Sequence, residues 1–289
     1  MKRRLLTPED RLNAAVRFDY VDRVPCAPAI ESYAARFAGI SQHEFLFDHT
    51  KAFNAFASLR NRYPVWDIRR GCYSSIYGSY QKNIGILRNR IPGVDLPADY
   101  EIQFLESEIM HRKDYSLIIN DGYTSYETEF FIKAHGTSKE AIDRAKLEKA
   151  RLRLKEIEAS NNSGQLYLYG DNLPTADEIL SYTRSFREFI RDLYQIPELV
   201  EEAVSAATDF LISSCLESFK DTGIPRVLIG ASRLNGQYFS LPYFEKFFWK
   251  HLKRVVESLA EQDITVFIHI DGDWGVNLPY FLELPKKKT

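Results

Sequence analysis

Apolar residues recur at helical spacing through the second half of the chain. After Pro197 they fall at Leu199, Val200, Ala203, Val204, Ala207, Phe210 and Leu211. That is the i, i+3, i+4, i+7 rhythm of one buried helix face. A second such face follows Ser240-Leu241-Pro242, with Phe244, Phe247, Phe248, Leu252, Val255, Val256 and Leu259. Between these helices lie short apolar runs: Gln165 to Gly170, ending at Asp171; Arg226 to Gly230; and Ile264 to Ile270. Near-continuous apolar runs fit strands of a parallel sheet covered on both faces. Alternating strands and helices of this kind predict an α/β fold.

The first half is less regular. Thr7 is a good N-cap, Pro8 suits the first helical position and Asp10 can close a capping box, which predicts a helix to about Phe18. Val24 to Ile30 is a small-residue apolar run whose prolines, Pro25 and Pro28, predict a short or edge-like strand ending at Glu31. Helices are expected over Tyr33–Gly39 and Thr50–Arg62. Residues 63–100 are rich in aromatics, and only the turn Ile91-Pro92-Gly93 punctuates them. Residues 101–132 read as mostly helical, and Thr137-Ser138-Lys139-Glu140 caps a charged helix to about Ala159. Thr175-Ala176-Asp177-Glu178 caps another. The expectation is one domain over residues 1–289, with a helical or irregular insertion at about 63–160.

Composition narrows the function. The chain has 289 residues, 45% of them hydrophobic, and 38 basic against 40 acidic side chains. A net charge of −2 with no basic face argues against a nucleic-acid binder. No window approaches the roughly 18 consecutive apolar residues of a membrane span, and the basic N-terminus has no apolar stretch of a signal peptide behind it. Three well-separated cysteines, Cys26, Cys72 and Cys215, read as reduced thiols in a cytoplasmic protein. No Cys-x-x-Cys pair offers a zinc knuckle. No glycine-rich loop follows any strand, which argues against Rossmann and P-loop nucleotide sites.

In an α/β barrel the loops after the strands build the site. The polar residues at those expected strand ends are Glu31, Asp171, Ser232, Arg233, His269, Asp271 and Asp273. His269 and Asp271 stand two apart, so their side chains leave a strand on the same side. Each also has a plainer reading: His269 as a hydrogen-bonded core residue, Asp271 and Asp273 as turn caps, Arg233 as an acid's structural partner, Asp171 as a helix cap and Glu31 as an exposed loop acid. His43, His49, His111, His135 and His251 have no partner at ligand spacing and read as structural.

Several pieces, in order, resemble the uroporphyrinogen decarboxylase superfamily. They are Leu6-Thr7-Pro8-Glu9-Asp10-Arg11 with Asp22-Arg23-Val24-Pro25; Tyr33 to Ile40; Ile91 to Pro97; Asp192-Leu193-Tyr194 with Pro197-Glu198-Leu199-Val200; Phe239 to Glu245; and His269-Ile270-Asp271-Gly272-Asp273-Trp274. The resemblance implies a TIM (β/α)8-type barrel with extra N-terminal helices. It also implies a barrel incomplete at its C-terminus, because two strand–helix units of the family have no counterpart here.

The superfamily includes the haem-pathway decarboxylase and corrinoid (cobamide)-linked methyltransferases. The methyltransferase reading implies zinc bound by His269 and Asp271, with Glu31, Asp171 and Arg233 orienting a small methyl donor and Asp273 a further catalytic candidate. A carboxylate in place of the family's cysteine makes a harder site, better suited to an ether or amine donor. The decarboxylase reading implies Arg233 and Arg36 on the carboxylates of a porphyrinogen. The family's arginine-bracketed segment, however, reads Ala29-Ile30-Glu31-Ser32 here. Tyr182 and Arg184 match a family position near the pocket, although helical surface fits them as well. A corrinoid protein and a second copy of the chain are the expected protein partners. A shortened barrel that binds without turnover is the non-enzymatic alternative.

Overall fold

The computed structural model of the chain describes residues 5–71 and 78–286; Cys72 lies outside them. The structure divides into two compact units, Met1–Leu105 with His135–Leu168 and Glu106–Ala134 with Tyr169–Thr289.

The first unit opens with α1 (Pro8–Val16), capped by Thr7, whose hydroxyl accepts from the Asp10 amide as expected. Helices α2 (Tyr33–Ala38), α3 (Gln42–Phe47) and α4 (His49–Arg62) follow. Strand β1 (Ile68–Arg69), helix α5 (Gly78–Asn83) and the antiparallel pair β2 (Arg88–Arg90) and β3 (Gln103–Leu105) come next. The long helix α8 (Lys139–Asn162), capped by Ser138, leads to β4 (Leu166–Tyr167), which pairs parallel with β1. Phe45, Phe56, Leu59, Trp66 and Leu152 form the centre of this unit's core.

Two expectations are corrected here. Val24–Ile30 is not a strand but an irregular segment, tied to β1 by the Ile68 amide donating to the Cys26 carbonyl at 3.1 Å. Its two prolines lack the N–H groups that a ladder needs. Residues 103–105 are a strand rather than helix.

An ion network fixes this unit's N-terminal segment. Arg11, 4% exposed, lies 2.7 Å from Asp22 and also pairs with Asp67. Asp67 accepts from the Cys26 amide at 2.9 Å and meets Arg23 at 2.9 Å. The hydrogen bond from Arg11, first among the causes, holds the Asp22 carboxyl below the usual carboxylate range.

The second unit holds α6 (Arg112–Asp121), α7 (Tyr123–His135, whose last residue falls in the first unit), β5 (Asp171–Pro174), α9 (Ala176–Arg184), α10 (Phe186–Gln195) and α11 (Pro197–Thr222). Then come β6 (Arg226–Ala231) and a helical run, α12, made of Leu241–Phe244, a π-helical turn Glu245–Trp249 and Lys250–Ala260. Strand β7 (Thr265–Ile270) and a 3-10 turn at Leu278–Glu283 end it. Strands β5, β6 and β7 form a parallel sheet in sequence order, with Leu173, Ile229 and Ile268 in register. The apolar faces expected of α11 and α12 are buried as the periodicity predicts, including Val200, Ala203, Val204, Ala207, Leu211, Phe244, Phe248, Val255 and Leu259. The chain is thus mixed α/β.

The run from Gln165 to Asp171 is two strands, not one. Gly170 marks the break: a Cβ there would stand 2.8 Å from Thr222 Oγ1 and 3.0 Å from Ser218 Oγ. Only glycine allows that approach, and its amide donates to the Arg226 carbonyl at 2.8 Å. Asp171 therefore opens β5 rather than closing the strand before it.

No helix among the described residues is long and apolar enough to cross a membrane. Cys26 and Cys215 are free thiols.

Candidate functional site

The carboxyl ends of β6 and β7 bring several polar side chains together. Gly230 and His269 are register partners, and the Asp271 amide donates to the Ala231 carbonyl at 3.1 Å, so the two strand ends emerge side by side. Beyond them, Ser232, Arg233, Asn235, Gln237, Asp271 and Gly272 line a cavity of about 310 Å³, together with Phe186 and Tyr238. Asn235 is the clamp between the loops. Its Nδ2 donates to the Ser232 carbonyl at 2.9 Å and to the Asp271 carbonyl at 3.3 Å. Gly272, at φ +89°, makes the turn that the Asp-Gly pair suggests.

Arg233 is the most strongly built member. Its guanidinium lies 4.0 Å from the centre of the Tyr182 ring and 5.1 Å from that of Phe186. Cation–π contact of this kind fixes a planar cation without neutralising it. One nitrogen, Nη1, donates to the Ser181 carbonyl at 3.2 Å and lies 3.4 Å from Glu106 Oε1. Desolvation, the first of its causes, raises the Tyr182 hydroxyl pKa.

Beneath this loop sits Glu178, which the sequence reading placed only in a capping segment. It is 3% exposed. Its Oε1 accepts from the Ser232 amide, from Ser232 Oγ at 2.7 Å and from the Arg233 amide at 2.9 Å. Burial raises its pKa, and it also raises that of Asp177, which is 1% exposed and has an unpartnered Oδ2. The adjacent Glu178 charge pushes Asp177 further the same way.

His269 Nε2 lies 3.3 Å from Asp271 Oδ1, with side chains 50% and 64% exposed. The separation is what two ligands of a tetrahedral zinc with bonds near ~2.1 Å would show. Such a metal takes three or four protein ligands, and among the described residues no group of three or more His, Cys, Asp and Glu is placed to hold a metal. Among those residues His269 and Asp271 have no third such donor placed with them.

The other expected residues lie elsewhere or are engaged. Asp171 pairs with Val227 at the opposite end of the sheet from Arg233 and His269. Arg184 is buried in an ion network with Asp192 at 2.7 Å and Glu108 at 2.5 Å, so its charge is spent within the protein. Asp273 Oδ1 accepts from the Gly275 amide at 2.9 Å, the turn-capping alternative. Glu31 and Arg36 belong to the first unit. Glu31, at φ +42°, lines a cavity of about 110 Å³ with Ser32, Gln42 and Glu101, and Arg36 is exposed on α2.

No family model matches the chain, and no curated protein matches it. Among solved structures it is similar to a methyltransferase from Methanosarcina mazei, with a TM-score of 0.63 at 14% identity, over 96% of this chain and 73% of that one. At that identity the likeness is one of fold.

Proposed function

We propose that the chain is a methyl-transfer enzyme of the uroporphyrinogen decarboxylase type, built as a single barrel domain. It would move a methyl group between a small donor and a corrinoid, with the rim of β6 and β7 as its site. One observation carries this reading: a fold shared with a methyltransferase along 96% of the chain, with the site in the loops after its parallel strands.

Arg233 would orient the donor. Its guanidinium is held by ring contact and by a single nitrogen, which leaves the rest of the fork for an acceptor on the substrate. Tyr182 sets the plane of that fork, and Glu178 fixes the loop backbone that carries it. The His269–Asp271 pair is too exposed to add much stability. Its role in this reading is to hold a proton at His269 Nε2. When the methyl group leaves, the donor heteroatom keeps the bonding electron pair and takes up that proton. The corrinoid is the substrate that gives or accepts the methyl group.

The porphyrinogen reading draws less support: of the two arginines it calls for, Arg36 is exposed on α2 of the first unit and does not line the β6–β7 cavity.

The test is methyl transfer by the purified chain to cob(I)alamin from methylated amine, ether and thiol donors in turn. Arg233→Met should raise KM for the donor. His269→Ala should lower kcat about 100-fold, the lower range for general acid catalysis. Turnover of uroporphyrinogen, with no methyl transfer from any donor class, would overturn the proposal.

A further inference from the structure

The first unit contains a larger cavity, of about 370 Å³, between α4 and α8. Within α4, Phe53, Phe56 and Arg60 line it; α8 contributes Lys155; Arg69 of β1 and Gln165 also line it. Its volume lies in the range of small-molecule sites, about 300–1,000 Å³.

The charges in this cavity do not balance. Arg69 is matched: its Nη2 lies 2.9 Å from the buried Glu156, and its guanidinium sits 4.5 Å from the centre of the Phe56 ring. Arg60 and Lys155 are not matched. Among the described residues neither makes an ion pair or a hydrogen bond, and Arg60 Nε is buried without a partner. Arg60 stands in the last turn of α4, where a cation complements the helix dipole. Lys155 has no such role, because it lies about two turns before the end of α8. Two cations without ion-pair partners, beside an aromatic-lined hollow, form a receptor for a negative charge carried on a flat apolar body.

We infer that this cavity binds a small aromatic anion, such as an aryl phosphate or aryl carboxylate, with its charged group between Arg60 and Lys155 and its ring against Phe53. The inference is independent of the methyl-transfer reading, since it uses none of the residues at the β6–β7 rim.

The test is calorimetric titration of the full chain with phenyl phosphate, alongside orthophosphate and benzyl alcohol. The expected result is saturable 1:1 binding of phenyl phosphate, with each comparator at least roughly tenfold weaker. Lys155→Met and Arg60→Met should each weaken phenyl phosphate about tenfold, the loss of one charge-assisted contact. Lys155 is exposed, so its variant should keep the wild-type melting temperature and serve if Arg60→Met does not fold. Arg233→Met should leave the affinity unchanged. Absence of binding, equal binding of orthophosphate, full affinity in Lys155→Met, or loss of binding in Arg233→Met would each overturn the inference.

Discussion

Asp192 is the point at which the second unit is most exposed to a single substitution. It is fully buried, at 0% exposure, and takes three donors. Arg184 Nε lies at 2.7 Å, Arg112 Nε at 2.6 Å and the Tyr115 hydroxyl at 3.2 Å. Asp192→Ala would leave the Arg184 guanidinium, with 4% of its side chain exposed, without its buried carboxylate. Breaking a buried pair in this way costs about 3–5 kcal/mol. Glu108 still holds Arg184 from the surface, at 2.5 Å and 41% exposed, which favours the lower end of that range. The Tyr115 hydroxyl loses its acceptor, adding about 1 kcal/mol. Arg112, with 45% of its side chain exposed, adds little. The sum is about 4 kcal/mol, or a fall in melting temperature of about 8 °C at roughly 2 °C per kcal/mol for a chain of this size. The assay is urea unfolding of wild type, Asp192→Ala, Arg184→Met and the double variant. Removing the stranded charge should restore part of the loss, with a coupling of about 2 kcal/mol or more. A loss below about 1 kcal/mol, or additive single variants, would mean that Arg184 is solvated and the buried-pair reasoning is wrong.

Two further outcomes follow from buried titratable groups. His251 is 3% exposed, and burial, its main cause, pushes its pKa down from 6.5 to about 4. A base with a depressed folded pKa gives stability present above pH 6.5 and lost as pH falls toward 4. Relative to His251→Gln, wild type should therefore lose about 3 kcal/mol across that window in urea titrations, and a parallel pH profile for the two would refute the assignment. Asp177 behaves in the opposite sense. Its raised pKa means that wild-type stability is greatest below the ordinary carboxyl range and drains as pH rises through the folded value. Asp177→Asn, an isostere of the neutral acid, should gain on wild type with rising pH, and a constant difference between them would count against a buried neutral carboxyl.

Helices α11 and α12 were legible because their packing writes itself into a simple period. Both bury one long apolar stripe, and nothing in their interiors contradicts it. The join between β4 and β5 was not legible, because what decides it is the space beside Gly170, and Thr222 and Ser218 fill that space from some fifty residues away. The segment at Val24–Ile30 had the apolar composition of a strand, but Pro25 and Pro28 break its run of amides and the Cys26 amide is taken by the Asp67 side chain. At the site, the rule that strand ends carry function picked out Arg233, His269 and Asp271, which the structure brings to one rim. It misplaced Asp171 because two strands were read as one. Glu178 stayed hidden because an acid in the first turn of a helix ordinarily needs only the dipole to explain it. Its signal was the company it keeps: Ala176 to Ser181 are buried without a break.

The resemblance read from the sequence rests largely on residues that the structure uses for architecture. Arg11, Asp22 and Arg23, from the first matching piece, form the ion network around Asp67. Asp192, from a later one, anchors Arg112 and Arg184. Buried ion pairs of this kind are costly to disturb, because a lone partner is stranded without water. Such residues serve the scaffold and are silent about the reaction run on it. The reaction has to be read from the groups that the scaffold leaves uncommitted, and at the β6–β7 rim these are the Arg233 fork and the exposed His269–Asp271 pair. The preparation of Arg233 is what supports the proposed binding at this rim. Glu178 grips its backbone, Tyr182 and Phe186 hold its plane, and its contacts to Ser181 and Glu106 both use Nη1, which leaves the rest of the fork for a ligand.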